Sequence, residues 1–426
     1  MAVRIAEGSG YTWLWPDGSV THAAHYPVGY PAALALVYWA LGAVPGLAMV
    51  LNALVGALGC LAVHQMLAPL RDRRIALVGG LLVAFHPGLV GYTPALMTEG
   101  VSASLVACAA WAATAARANH DDRRRWLLVS ACGLLLGAGT LVRPQCLVLA
   151  PIFGAVAWGA RRGLRRALVA GAVVTALALA VCAPWTARNC DKMGRCALVS
   201  VNGGWNLLIG TDPAGEGAWA PLRTPVECRE VFDEAAKDQC FQRAAGRTIV
   251  AAPGAWLALV PKKLSATFDY CGAAGWYLHD ANRKAFDDRA KLVLGVAETV
   301  YERAVVILAL LALWPRRLAR ERPGPIRWFL AAILLAGIAF ACSRHGWIAH
   351  LALLVTLCWR RPGLLRAHPI YGATWATLAC VAAVHAVFFG AGRYQMLVLP
   401  MMCALAALGL GRRVGLARTV SRLLGR

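Results

Sequence analysis

The sequence predicts an all-α membrane protein, a polytopic helical bundle of about eleven transmembrane helices with a small extracytoplasmic loop domain. Three observations carry this. The chain has 426 residues, 59% of them hydrophobic and only 15% charged, with a mean hydropathy of +0.57. Soluble domains hold about 45–50% apolar and about 25% charged residues. The apolar residues fall into runs long enough to cross a bilayer. The net charge of +22 sits in short Lys/Arg clusters between those runs, which is the pattern of cytoplasmic loops. No single basic face forms, so nucleic acid is excluded as a partner.

Taken in order, residues 1–31 form a first outer loop, and an apolar piece at 32–44 reads as an interfacial helix. Six spans follow at 46–68, 75–93, 96–116, 126–142, 144–160 and 167–185, completing an N-terminal membrane module over 32–186. A hundred-residue segment, 187–290, lies outside. It is enough for a cap but not for an independent catalytic domain. A C-terminal module over 291–411 holds runs at 292–314, 327–342, 347–358, 371–390 and 394–411, of which 347–358 has the length of a half-helix. Residues 412–426 form a basic cytoplasmic tail.

The loops test this order. With the N-terminus outside, the inner segments 69–74, 117–125, 161–166, 315–327, 359–370 and 412–426 hold 24 Lys/Arg against four acids. All other residues hold 19 bases and 17 acids. The split is +20 against +2, and a wrong span parity would scramble it. Only six of the 43 bases are Lys, and Ala and Gly abound, as in a GC-rich bacterial genome. The expected location is a bacterial plasma membrane.

Most of the fourteen cysteines lie in spans, where Cys acts as a small apolar residue. The five in the outer segment face an oxidising side. Cys190 with Cys196 and Cys228 with Cys240 are the natural local pairs, leaving Cys271. No spacing resembles a zinc site.

Ionisable residues in or beside spans are expensive and therefore functional candidates. Glu99, Arg143, Arg188, Arg344 and Arg393 all fall at outer span ends. One carboxylate among several guanidiniums suits a phosphate-bearing lipid, because Arg offers phosphate a planar fork of donors. The competing reading for the arginines is snorkelling to the headgroups, which does not account for Glu99. His22 and His25 could share a metal, but no third ligand is visible. His86, His350 and His385 read as packing residues within spans.

Four local patterns add to this. His22, His25, Tyr26, Pro27, Gly29, Tyr30 and Pro31 make an aromatic and proline turn, a segment that also serves as a plain interfacial anchor. Thr98 and Glu99 open a span. Arg143 and Pro144 break two short helices. Pro184, Trp185, Arg188 and Asn189 lead to Ser200, Asn202, Gly203, Gly204, Trp205, Asn206 and Gly210. In this order, and ending with Gly392, Arg393 and Tyr394, they resemble the polytopic GT-C glycosyltransferases. The nearest likeness is to the family 39 type related to protein O-mannosyltransferases and lipid A aminoarabinose transferases.

That resemblance implies an inverting transfer of sugar from a polyprenyl-phosphate donor to a glycan, lipid or protein acceptor on the outer face, amid membrane lipids. It implies that His25, Tyr26 and Tyr30 line the site, and that Glu99, Arg143, Arg188 and Arg393 surround the donor phosphate. Asn189 and Tyr394 belong to the same motifs. Asn202 and Asn206 fall in a loop folding over substrate. A divalent metal is an open addition. The family's first helix and catalytic Asp are expected upstream of Met1, since residues 6–11 resemble the stretch that follows them. Asp17 is the fallback catalytic carboxylate beside Glu99. The rival readings are a lipid-linked sugar flippase, a surface-polysaccharide polymerase or ligase, and an inactive relative. A flippase would be expected to show internal repeats, and none is visible.

Overall fold

Alanine and glycine dictate how the helices meet. Helix Thr98–Ala118 buries two alanine-rich faces, and it packs against helices Pro45–Leu67, Asp122–Val142 and Ala150–Trp158. Without a hydrophobic drive between helices in lipid, small residues that let backbones approach supply the packing. A Cβ at Gly137 would stand 2.6 Å from that of Val181, and one at Gly133 would stand 2.8 Å from that of Leu177. These glycines seat helix Leu164–Lys192 directly on helix Asp122–Val142.

This computed structural model describes residues 1–69, 72–159, 163–271, 273–314, 325–359 and 369–423. Of the basic inner connectors, 70–71, 160–162, 315–324 and 360–368 lie outside the described residues, as do Gly272 and the tail end 424–426. Among the described residues five helices are long and apolar enough to cross a membrane: Pro45–Leu67, Thr98–Ala118, Asp122–Val142, Leu164–Lys192 and Pro369–Val387. Shorter apolar helices occupy Gly29–Leu41, Pro144–Trp158, Trp328–Ala341, Gly346–Cys358 and Leu399–Gly411. The chain is thus a helical membrane protein.

Two expected spans take a different form. The run at 75–93 is broken into Arg73–Ala84 and Pro87–Gly91, because Pro87 pushes His86 out of helical geometry. The run at 167–185 continues to Lys192 as one helix of 29 residues. That is about 43 Å, well beyond a hydrocarbon core of about 30 Å. Helix Asp288–Ala312 covers the expected run at 292–314 but buries Glu298 and Glu302 within it.

Apart from the long apolar helices, the described residues open with helix Ala2–Ala6 and a hairpin, Thr12–Leu14 paired antiparallel with Val20–His22. Gly18 takes a positive φ in its turn, a conformation that glycine adopts without steric cost. Between 193 and 287 lie short helices, chiefly Gly203–Ile209, Glu234–Ala251, Val260–Phe268 and Ala273–Ala281. Disulfides join Cys190 to Cys196 and Cys228 to Cys240, and Cys271 is free and buried. Lys263, fully buried, donates to the carbonyls of Ala386 and Val387 and so fastens this part to the end of helix Pro369–Val387. The final helix, Leu399–Leu423, returns against Asp288–Ala312 and Arg73–Ala84.

Candidate active site

The site is assembled where three distant backbone breaks meet. Helix Asp122–Val142 ends at Arg143, whose φ of −145° and ψ of 110° are extended, as the following Pro144 requires. Leu96 holds a φ of +54° just before helix Thr98–Ala118 begins. A bulky residue rarely adopts that left-handed conformation, and such strain concentrates at functional positions. A 3₁₀ turn, Gly392–Leu397, carries Arg393. A Cβ on Gly392 would collide with the Tyr270 carbonyl, so glycine permits this approach.

At the junction Glu99 is buried in the first turn of its helix, where the helix dipole favours a negative charge. Its Oε1 accepts from Arg143 Nη2 and lies 3.7 Å from Arg393 Nε. Arg143 Nε donates to Thr98 Oγ1 at 3.2 Å. Arg393 donates to the Tyr277 hydroxyl at 2.6 Å and the Tyr394 hydroxyl at 3.2 Å. Both guanidiniums lie over the Tyr394 ring, at 5.5 and 5.0 Å, and that ring stacks on His385 at 4.0 Å. Two guanidiniums around one carboxylate leave an excess of positive charge. Buried sites focus such a charge on an incoming anion.

Arg188 is not part of this junction. In the last turns of the long helix, its Nη2 donates to the Tyr11 carbonyl at 2.9 Å and its Nη1 to the Ala23 carbonyl at 2.8 Å. It lies over the Trp185 ring, against which the Tyr11 ring packs edge-on. Asn189, fully buried, donates to the Ala197 carbonyl at 2.9 Å. Both residues therefore fasten the first loop, and Arg188 Nη1 also donates to Asn189 Oδ1 at 3.1 Å. The structure does not bring Arg188 to the junction of Glu99, Arg143 and Arg393.

The other expected residues divide between these two regions. Tyr30 is buried against Leu34, Ala48, Val101 and Val142. Gly29 rides so close on helix Asp122–Val142 that a Cβ there would stand 2.7 Å from the Leu141 carbonyl carbon. The first loop thus borders Arg143. His25 and Tyr26 pack ring to ring on the outer side, at 4.7 Å. Burial holds the His25 imidazole below its usual range, although Glu234 and Asp238 act in the other direction. Asn202 precedes helix Gly203–Ile209 and accepts from Ser200, and Asn206 lies half-buried one turn later. Asp17 stands fully exposed in the hairpin turn, with its carboxylate bonded to the N–H and hydroxyl of Ser19. Those hydrogen bonds hold it below the usual carboxylate range. No contact joins Asp17 or Arg344, which is exposed, to Glu99 among the described residues. No three His, Cys, Asp or Glu side chains gather to hold a metal among the described residues.

Several functional candidates escaped the sequence reading. Tyr277, which holds Arg393, sits in the outer segment with no pattern to mark it. Glu298 and Glu302 are different: both lie inside the apolar run 292–314, so the cost that singled out Glu99 applies equally to them. Glu302 lies 2.9 Å from His350 Nε2. Glu298 has no hydrogen-bond partner among the described residues.

Residues 25–187 match the family described as dolichyl-phosphate-mannose-protein mannosyltransferase. The chain is similar to that family over those residues alone. The match takes in His25, Tyr26, Tyr30, Glu99 and Arg143. No curated protein matches the sequence. The fold is similar to the oligosaccharyltransferase of Archaeoglobus fulgidus in its apo form, with a TM-score of 0.49 and 14% identity over 99% of this chain and 47% of the other. The chain thus spans about half the length of that protein. It is also similar to ArnT from Cupriavidus metallidurans in the apo state, with a TM-score of 0.39 and 14% identity over 95% of this chain and 71% of the other. The same protein bound to undecaprenyl phosphate gives 0.39 and 14% over 96% and 72%.

Proposed function

We propose that the chain is an inverting glycosyltransferase of a bacterial plasma membrane, taking sugar from a polyprenyl-phosphate donor to an acceptor on the extracytoplasmic face. The observation that carries this is the pair of guanidiniums, Arg143 and Arg393, sharing the single carboxylate of Glu99. A donor phosphate placed there would meet fixed donors and an uncompensated positive charge. As the sugar leaves, charge builds on that phosphate, and preorganised cations are the usual means of stabilising it. The family match, which takes in Glu99 and Arg143, supports the reading.

Glu99 acts in this scheme as a positioning residue. Its carboxylate is engaged by both guanidiniums, so its task is to hold both forks toward the phosphate. The proton of the acceptor hydroxyl would go to another carboxylate. A noncatalytic relative that only holds the lipid is the second reading, favoured by the engagement of Glu99 and the exposed turn that carries Asp17.

Binding and turnover separate these readings. The full chain in nanodiscs should bind undecaprenyl phosphate, and Arg143→Ala and Arg393→Ala should each weaken that binding about tenfold or more. Transfer from a polyprenyl-phosphate sugar should be detected as release of undecaprenyl phosphate. Binding without turnover selects the noncatalytic reading, and binding unchanged in both variants removes the proposal.

A further inference from the structure

We infer that the outer wall beside this site is a carbohydrate-binding surface, so that the acceptor is a glycan or a glycosylated molecule that presents a pyranose ring. The inference rests on the proposed transfer reaction for its purpose, but its observations are separate. Trp13, Trp15, Tyr26, His25 and Trp205 form a continuous aromatic ladder. Neighbouring ring centroids are 6.4 Å apart for Trp13 and Trp15, 6.3 Å for Trp13 and Tyr26, 4.7 Å for Tyr26 and His25, and 5.3 Å for His25 and Trp205. Trp15 and Tyr26 are 48% and 55% exposed.

The ladder is built rather than incidental. Helix Glu234–Ala251 places Glu234 and Asp238 four residues apart, hence on one face. Glu234 accepts from the Trp13 indole N–H and from the main-chain N–H groups of Ala24 and His25, at 2.8 and 3.1 Å for the latter two. Asp238 accepts from the N–H groups of Gly204 and Trp205, at 2.7 and 3.2 Å. Trp15 donates its indole N–H to Thr21 at 2.8 Å. Two carboxylates on one helix thus fix aromatic side chains from two other chain segments. The polar edges of both hairpin indoles are occupied; Trp13 packs on Tyr11, Ala23 and Val28 as the base of the ladder, and Trp15 and Tyr26 present its exposed rings.

Fixed aromatic faces with polar groups at their margin suit a ligand that is apolar on its ring faces and polar around its rim. A pyranose has that form: its C–H groups pack on the π-face while its hydroxyls reach the margin. Rigid Trp and Tyr surfaces bind with little loss of conformational freedom. The chain leads from the ladder toward the donor site, since Gly29, four residues beyond His25, rests on the end of the helix that precedes Arg143.

The test uses the full chain in detergent micelles without any donor lipid. Saturation-transfer NMR with methyl α-D-mannopyranoside and methyl β-D-glucopyranoside should show saturable contact of the ring C–H protons in at least one of them. Trp15→Ala and Tyr26→Ala, both at exposed positions, should weaken that contact about tenfold, and Trp13→Phe should retain it. Glu99→Gln should leave it intact while weakening undecaprenyl phosphate binding. Absence of saturable contact from both pyranosides, or equal contact in the two alanine variants, overturns the inference. So does a finding that those variants instead lose binding to anionic phosphatidylglycerol vesicles or to an acceptor peptide. If pyranoside contact fails while undecaprenyl phosphate still binds through Arg143 and Arg393, this inference falls alone.

Discussion

Carboxylates organise both halves of the site, but they do opposite work. At the membrane face a single Glu99 holds two guanidiniums and remains outnumbered. On the outer helix Glu234 and Asp238 are met by main-chain and indole N–H groups. One arrangement leaves positive charge for a ligand, and the other leaves only ring faces. The residue type is the same, so its partners decide what a binding surface can recognise.

The largest expected effect breaks the first arrangement. Arg143→Ala should reduce sugar transfer by about 10²-fold or more, the range seen when a preorganised charge donor is removed. It also strips Glu99 of its closest partner, a change that costs about 3–5 kcal/mol for a buried pair. Combining it with Glu99→Gln should recover most of the thermal stability and none of the activity. Recovery of both would show that the pair is only structural.

Lys263 offers a third arrangement, a buried cation with neutral carbonyls as its hydrogen-bond acceptors. Burial holds its ammonium down to about 8 from an ordinary 10.5. Below pH 8 the charge is present in both folded and unfolded states, and its burial cost is fully felt. Between about 8 and 10.5 the unfolded chain binds a proton that the folded one has released, so stability rises with pH. Relative to Lys263→Met, the wild type should gain up to about 3 kcal/mol across that window, read as a narrowing difference in Tm. A gap that stays constant with pH would show that the ammonium is paired in the fold.

Next comes Glu234→Ala, which frees Trp13 and His25. The loss of charge-assisted hydrogen bonds should cost about 2 kcal/mol and raise KM for acceptor more than it lowers kcat. Glu234→Gln should restore part of the loss, because one amide oxygen still accepts. A purely kcat effect would place Glu234 with the arginines. The smallest effect is expected for Asp17→Asn. Activity should stay within about twofold, as for a surface change. Complete loss of activity in that variant would show that the hairpin turn reaches the reacting atoms.

Much of the helical fold was legible because its signals are local. Apolar runs and Lys/Arg clusters lie within windows of about twenty residues, and glycines and alanines mark the close packing. What failed depends on where breaks fall relative to the bilayer. Pro87 split one expected span, whereas Pro184 sits inside a helix that runs on to Lys192. Glu99, Arg143 and Arg393 could be named as candidates because charge at span ends is costly. That Arg188 binds the Tyr11 and Ala23 carbonyls depends on how far its helix projects, which composition does not record. The aromatic ladder was half visible, since Tyr26 and His25 stood in a motif. Trp13 and Trp15 joined it only through the hairpin register and through Glu234, more than 200 residues away in sequence.

The separation of Glu99 from Arg393 along the chain also bears on the order of synthesis. Membrane helices are inserted as they emerge, and the match to Glu99 comes from a turn just before the last helix. Until that turn is in place the carboxylate has only Arg143 beside it, and Tyr277 has no guanidinium to hold. On the proposed function, a nascent chain would lack a complete phosphate site until Arg393 has emerged and helix Leu399–Leu423 has packed against helices Arg73–Ala84 and Asp288–Ala312. Activity would then, on that reading, be a checkpoint on completed assembly, and truncation anywhere before residue 393 should remove it.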